Sequence, residues 1–464
     1  MSAEGLTLSV HASAAASREY PRIVASPPGP KAREIVALDR EFSSTSYIKE
    51  YPLAVERGQG PMVEDVDGNR YLDFMAGIAV ASTGYSHPKV VAAVQEAAAK
   101  FFHICGTDFY YASMSELCAR LARTAPMPEK ARVFLTNSGT EAVEGAIKLA
   151  RNSTRRPGLI AFHGAFHGRS YGAMSLTSSK VKQRGTFGPM LPGVHHVPYP
   201  DPYRAAPGVD AGQQVIDQIR GDLFQRHVAP DEIAAIFVEP MLGEGGYVIP
   251  PPSFLRGLRE ICDEHGILLV FDEIQTGVGR TGHLWAAEHF GVQPDVLLTA
   301  KGLGSGLPIG AIIARASKMK WTAGSHGSTF GGNPVACAAA LATLELIGDG
   351  KDGGLAANAA KVGATLEVGL RELQRRHSVI GDVRGVGLFV GVEFVVDRET
   401  KKPAKEFVHN LGQLAFSKGL LLLSCGQSTI RIAPPLVIDE VDVAIGLRIL
   451  DECITELSAK GPIR

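Results

Sequence analysis

Three things are scarce in this 464-residue chain: net charge, long apolar runs and paired cysteines. Lysine and arginine number 47 against 48 aspartates and glutamates, a net charge of −1. Without a basic excess the chain does not look like a nucleic-acid protein, and it has no polybasic patch for a membrane surface. No apolar run reaches the roughly 18 residues of a membrane span. One of the longest, Val335 to Ala342, stops at Thr343. The six cysteines (Cys105, Cys118, Cys262, Cys337, Cys425 and Cys453) are scattered, with no Cys-x-x-Cys pair. That argues against a disulfide framework and for a reducing, cytoplasmic compartment. No metal centre is expected.

What is present is ordinary for a globular protein: 20% charged and 45% hydrophobic residues. The length suggests two or three domains and a large buried core. Disordered, collagen-like and coiled-coil readings fail on composition, and there is no internal repeat. Residues 1–30 are rich in Ala, Ser and Pro and read as a flexible tail. They lack an apolar segment with a cleavage site, so a secretory signal is not expected, and Glu4 and Glu19 count against a transit peptide.

Residues Pro61 to Asp73 then read as two strands about the turn Asp67-Gly68-Asn69. From His87 to Ala122 the spacing predicts helix. Beyond that, apolar strands at Arg132–Thr136, Gly158–Phe162, Ala235–Val238, Ile267–Phe271, Val296–Thr299 and Ile309–Ala314 alternate with helical stretches. Strands apolar throughout are typical of sheets covered on both faces. The alternation predicts an α/β core with a mainly parallel sheet. A helix from Pro334 to Leu346 ends at the glycine-rich Gly348–Gly354. Helix, strands around Val383–Phe394 and a closing helix from Asp439 follow.

Four segments carry chemistry. The strand ending at Phe271 delivers Asp272, and the next strand delivers Lys301, twenty-nine residues on. Ligands in open α/β sheets bind beyond the carboxyl ends of strands. A buried carboxylate there can keep a pyridine nitrogen protonated, and a lysine can form a Schiff base with an aldehyde. Those are the two groups that pyridoxal phosphate (PLP) needs. Taken alone, such a strand-end pair is far more often a structural ion pair; the surrounding segments reverse that. Asn137-Ser-Gly-Thr-Glu-Ala142 opens a helix and suits a phosphate, or is simply an N-cap. In Gly164-Ala-Phe-His-Gly-Arg169, Phe166 can lie on a ring or pack in the core. In His326-Gly-Ser-Thr-Phe-Gly-Gly-Asn-Pro334, Thr329 offers a hydroxyl to a phosphate, or belongs to a surface loop.

Together with Glu239-Pro-x-x-Gly-Glu-Gly-Gly246, these segments make the chain resemble the class III aminotransferases, PLP enzymes of fold type I. The resemblance runs from about Gly60 to Ile449. It implies a large PLP-binding domain with a mainly parallel sheet covered by helices (91–346), plus a smaller α+β domain assembled from 31–90 and 347–464. It implies that Lys301 holds PLP and shuttles a proton, that Asp272 pairs with the pyridine nitrogen, and that Gln275 contacts the phenolic oxygen. Phe166 would stack on the ring, and Ser138, Gly139 and Thr140 would hold the phosphate, with His167 near the cofactor. Thr329 would reach the cofactor of a partner subunit in a homodimer or dimer of dimers.

Within the family the chain is most similar to 4-aminobutyrate and ornithine-type ω-aminotransferases, which take a small-molecule amino donor and a 2-oxoacid acceptor. The resemblance puts Ile78 against the substrate, Arg169 on a distal carboxylate and Arg431 on the α-carboxylate of glutamate. Glu244 would neutralise Arg431 when the donor has no α-carboxylate, because an unpaired buried arginine is costly. The family often has Gln where this chain has Leu242, which suggests a more apolar pocket and a bulkier substrate. Ornithine, acetylornithine or lysine aminotransferase and amino-acid racemase or epimerase are the alternatives inside the family. Outside it, Gly385-Val-Gly-Leu-Phe-Val-Gly391 is not the dinucleotide fingerprint of a dehydrogenase. Retention of Lys301, Asp272 and Gln275 argues against a catalytically dead binding protein.

Overall fold

The computed structural model describes residue 18, residues 20–350 and residues 353–461; most of the segment read as a tail lies outside them. The described residues form two compact units, one of those up to His87 together with those from Asn358 on, the other of those from Pro88 to Ala357.

The first unit begins with residues tied to its body. Arg22 and Arg70 exchange backbone hydrogen bonds, and Asn69 Oδ1 accepts from Val24 and Ala25 N–H. Helix α1 (Pro30–Phe42) precedes β1 (Val55–Gln59), β2 (Met62–Asp65) and β3 (Arg70–Asp73). The turn between β2 and β3 falls at Asp67-Gly68-Asn69. There the Asp65 carboxylate accepts from Asp67 and Asn69 N–H, and Gly68 takes φ +89°, a conformation glycine adopts without steric cost.

The second unit opens with α2 (Pro88–Lys100) and α3 (Ala112–Thr124). The spacing of His87–Ala122 predicts continuous helix, but residues 101–111 interrupt it. Gly106 sits so close to Met114 that a Cβ would meet its sulfur at 2.7 Å; a helical side-chain pattern does not register such a close approach. The sheet strands are β4 (Ala131–Thr136), β5 (Gly158–Phe162), β6 (Val194–Val197), β7 (Ile233–Val238), β8 (Leu268–Asp272), β9 (Val296–Thr299) and β10 (Gly310–Arg315). Their order is β4-β10-β9-β8-β7-β5-β6. Strands β9, β8, β7, β5 and β6 run parallel. Helices α4 (Gly139–Thr154), α5 (Ala211–Gln218) and α6 (Pro252–His265) lie on the connections. Strands β5, β7, β8 and β9 are buried at every position, as their unbroken apolar sequences require.

Strand β10 is antiparallel to both neighbours. Only residues 300–309 separate it from β9, fewer than the dozen or so that a parallel crossover needs. Since β10 opposes both β4 and β9, those two run the same way. The chain therefore leaves β4, β5, β7, β8 and β9 at one edge of the sheet. Two cores fill its faces. One is built around Phe162, Phe254 and Phe271, the other around Leu149, Phe237 and Leu298. Truncating a fully buried phenylalanine such as Phe237 costs about 3–5 kcal/mol. Helix α7 (Pro334–Ile347), capped by Asn333, closes the main part of this unit.

The chain returns to the first unit with most of α8 (Gly354–Arg376). Strands β11 (Ile380–Val386), β12 (Phe389–Phe394), β13 (Leu420–Leu421), β14 (Leu423–Cys425) and β15 (Thr429–Ile432) follow, with α9 (Lys405–Ser417) and α10 (Glu440–Ser458). Strand β13 joins β3 in a sheet β1-β2-β3-β13, while β15 lies inside a second sheet, β11-β12-β15-β14. Gly385 to Gly391 form the β11–β12 hairpin, Val386 facing Phe389 across a two-residue turn. This is not the strand-loop-helix of a dinucleotide site. Among the described residues no helix is long and apolar enough to cross a membrane.

Candidate active site

The sheet edge where β4, β5, β7, β8 and β9 end collects most of the candidate residues. Asp272 is the last residue of β8 and is buried. The His167 Nδ1–H donates to its Oδ2 at 2.7 Å, and Ile274 N–H donates to its Oδ1 at 3.1 Å. Burial pulls the His167 ring toward neutrality. The hydrogen bond and charge of Asp272, together with the charge of Glu239, outweigh it and raise the imidazole above its usual range. His167 reaches Asp272 because β5 and β8 both flank β7, and its loop is fixed where Thr177 Oγ1 accepts from His167 N–H at 2.9 Å.

Lys301 follows β9, which pairs with β8 so that Leu298 faces Asp272. The lysine and the aspartate thus leave neighbouring parallel strands at the same edge. Lys301 has φ +39°. That region is uncommon for a residue with a Cβ, and strain of this kind clusters at functional sites.

The loop after β4 caps α4. Ser138 is the N-cap and accepts from Glu141 N–H, so the N–H groups of Gly139 and Thr140 open the helix where no intrahelical acceptor exists. A Cβ on Gly139 would meet Ile274 at 2.7 Å; only glycine lets this turn approach the Asp272 loop so closely. The Thr140 and Ser170 hydroxyls lie 2.6 Å apart. Asn137 Nδ2 donates to Ser328 Oγ at 3.2 Å, which ties the turn to the loop carrying Thr329. Thr329 itself is exposed.

Phe166 is half-buried, and its N–H donates to Glu239 Oε1 at 2.8 Å. The Arg169 guanidinium lies 5.9 Å from the Phe166 ring centroid, and its residue is exposed. Glu244 stands on the tip of a hairpin closed by mutual backbone bonds of Leu242 and Val248. Lys180 Nζ donates to Glu244 Oε1 at 2.7 Å. Leu242 points into the core built around Phe162 and Phe254. It fills the interior beneath the hairpin, so the apolar substitution expected to change the pocket is absorbed by packing instead.

Ile78 and Arg431 belong to the first unit. Ile78 sits in a left-handed turn: Ala76, Gly77, Ile78 and Ala79 all have φ between +47° and +69°. For the three residues with a Cβ this costs roughly 1–2 kcal/mol each. Arg431 lies on β15 between Gly391 and Leu423 and is buried.

Three residues near the site were given no role by the sequence reading. Glu239 is the first residue after β7 and is buried; the same strand-end rule that exposes Asp272 would have found it. Burial raises its carboxyl to about 7, the Asp272 charge adding to the effect while the His167 charge and two N–H donors oppose it. Glu273 accepts from Ala286 and Ala287 N–H, and burial lifts it to about 8. Nothing in the sequence singled out Lys180.

The set fits PLP on an observation of its own. His167 Nε2 and Gln275 Oε1 are buried polar atoms with no hydrogen-bond partner among the described residues, although such atoms are nearly always paired. His167 is bonded to Asp272, and Ile274, the neighbour of Gln275, lies against the α4 N-terminus at Gly139.

The class III aminotransferase family matches residues 44–454. The chain belongs to the class III aminotransferases. It is therefore a PLP-dependent aminotransferase by family. It is 42% identical to a 5-aminovalerate aminotransferase of Pseudomonas aeruginosa, over 88% of this chain and 95% of that protein. It is 41% identical to an alanine/serine racemase of Pyrococcus horikoshii, over 94% and 93%. Among solved structures, the ornithine aminotransferase of Toxoplasma gondii superposes with a TM-score of 0.81 at 31% identity, covering 93% of this chain and 96% of that one.

Proposed function

We propose that this aminotransferase acts on ω-amino acids, moving the terminal amino group of 4-aminobutyrate or a similar donor to 2-oxoglutarate by a ping-pong route. The observation that carries the reading is Arg169, an exposed guanidinium set over the Phe166 ring. If that ring lies on the cofactor, the guanidinium stands ready for the far carboxylate of a donor whose amino group is being transferred.

Bound PLP supplies an electron sink for charge on the substrate carbon. Lys301 Nζ anchors it and carries the proton on and off that carbon. The Asp272 carboxylate keeps a proton on the pyridine nitrogen, and His167 Nδ1 orients that carboxylate. Gln275 contacts the phenolic oxygen, Phe166 covers the ring face, and the turn Ser138-Gly139-Thr140 takes the phosphate on backbone N–H groups. Thr329 serves the cofactor of a partner subunit in a homodimer or dimer of dimers. Ile78 lines the substrate, Arg431 takes the α-carboxylate of glutamate, and Glu244 is needed in the half-reaction where no α-carboxylate is present. We place the enzyme in the cytoplasm, where its six cysteines stay reduced.

Initial rates with 4-aminobutyrate varied at several 2-oxoglutarate concentrations test this. Parallel double-reciprocal lines are expected; intersecting lines with every donor would overturn it. The 41% identity to a racemase favours one second reading. Loss of optical activity from L-alanine without any oxoacid would establish it.

A further inference from the structure

Glu239 is a buried carboxylate with two well-formed hydrogen bonds to two different loops. Its Oε1 accepts from Phe166 N–H at 2.8 Å, and its Oε2 accepts from Gly243 N–H at 2.7 Å. The first loop follows β5 and carries Phe166, His167 and Arg169. The second is the hairpin that carries Glu244. Glu239 reaches both because it directly follows β7, which pairs with β5, and the hairpin continues from the end of β7 itself. Gly243 has to approach closely: a Cβ there would lie 3.1 Å from both Glu239 Oε2 and Gln275 Nε2. Leu242 and Val248 close the stem of the hairpin and Gly243 C=O accepts from Gly246 and Tyr247 N–H within its turn, so the Gly243 N–H bond ties that turn to Glu239.

We propose that Glu239 is a positioning residue that locks the loop bearing Phe166 to the hairpin bearing Glu244, so that one buried carboxylate sets the geometry of the cofactor-covering ring and of the substrate-side carboxylate together. This rests on the roles given above to Phe166 and Glu244. Burying a carboxylate is costly, and a carboxylate is the side chain of this length that offers an acceptor to both N–H groups at once. An amide offers one acceptor and turns a donor toward the other N–H. The bond to one loop is then lost, and the two loops no longer share an anchor. Glu273 serves as an internal comparison. It is also buried and also accepts two N–H bonds, but both come from the adjacent residues Ala286 and Ala287 of one short helix. Its carboxylate holds a single element, the short helix, and bonds neither the loop bearing Phe166 nor the hairpin bearing Glu244.

The test compares Glu239→Gln with Glu273→Gln, each purified as apoprotein and reconstituted with PLP. PLP affinity is read from the visible band during titration, and KM is measured for 4-aminobutyrate. For Glu239→Gln the PLP dissociation constant and the donor KM both rise roughly tenfold, and the dichroism of the cofactor band changes. Glu273→Gln lowers the melting temperature of the apoprotein while leaving both constants within about twofold. Movement of only one constant in Glu239→Gln, or of neither, overturns the proposal. If that variant does not fold, Gly243→Ala decides. It presses on the same contact from the other side at a position without positive φ, and it must raise both constants. Unchanged constants there overturn the proposal too. Absence of a visible band in the wild-type protein after PLP addition overturns instead the reading on which the proposal stands.

Discussion

The back wall of the site and its rim differ in how their polar groups are held. At the back, His167, Asp272 and Glu239 are buried and hydrogen-bonded to one another's loops. At the rim, Arg169 and Thr329 are exposed, and the Lys180–Glu244 pair is partly so, at 31% and 15% side-chain exposure. Fixed dipoles and charges away from water act strongly on a bound group and need no reorganisation. Charges in contact with water are screened, and exchanging them alters which ligand binds more than what chemistry occurs. On the roles proposed above, the wall would set the reaction class and the rim the donor. The aminotransferase relatives differ in donor within one family, being named for 5-aminovalerate and 4-aminobutyrate.

Breaking the wall has the largest expected effects. Lys301→Ala removes anchor and proton carrier together, and transamination falls by roughly 10^4-fold or more while the far-UV dichroism is unchanged; near-normal turnover would remove Lys301 from the mechanism. Asp272→Asn keeps the shape but removes the charge, with an expected loss of roughly 10^2–10^3-fold in kcat. The rim gives smaller and selective losses. Arg169→Ala lowers kcat/KM for 4-aminobutyrate roughly 10–100-fold but leaves a simple alkyl amine within a factor of about two. Equal losses for both would place Arg169 in the wall. Glu244→Ala slows the ω-amine half-reaction about tenfold and the glutamate half-reaction less, which single-turnover measurements of each half separate.

The smallest effect lies outside both regions. Glu273→Gln lowers stability by about 1–2 kcal/mol, and the deficit depends on pH. Burial lifts the folded-state pKa of Glu273 to about 8, above the ordinary 4.5. The stability this confers on the wild type is fully present below about 4.5 and is lost as pH rises through about 8. The gap in melting temperature between wild type and variant therefore narrows from pH 5 to pH 8. A widening gap would contradict the assigned shift.

The two regions were also unequally legible in the sequence. The strands that build the wall are apolar at every position, so β5 and β9 could be placed from residue pattern alone, and Asp272 stood out as the first charge after such a run. Strand β6 was missed because Val194-His195-His196-Val197 has two histidines at its centre. It lies at the edge of the sheet, where less burial is demanded. Glu239 was passed over although it occupies the same kind of strand end as Asp272. Apart from Thr329, whose glycine-rich loop was read from its own residues, the rim was visible only through resemblance. The left-handed turn that presents Ile78 contains one glycine and three residues that rarely adopt such angles, so local preference points away from it. Leu242 was read as lining a pocket because its place in the core depends on the Leu242–Val248 backbone bridge, which spacing does not reveal.

The most direct test of the division between wall and rim is the visible spectrum of the PLP-loaded protein on addition of 4-aminobutyrate alone, followed by 2-oxoglutarate. The account predicts that the yellow band bleaches with the donor and returns with the oxoacid. It also predicts that Arg169→Ala keeps the band but requires far more donor to bleach it. A wild-type protein that shows no such band after PLP is added, or an Arg169→Ala protein that loses the band altogether, would contradict it.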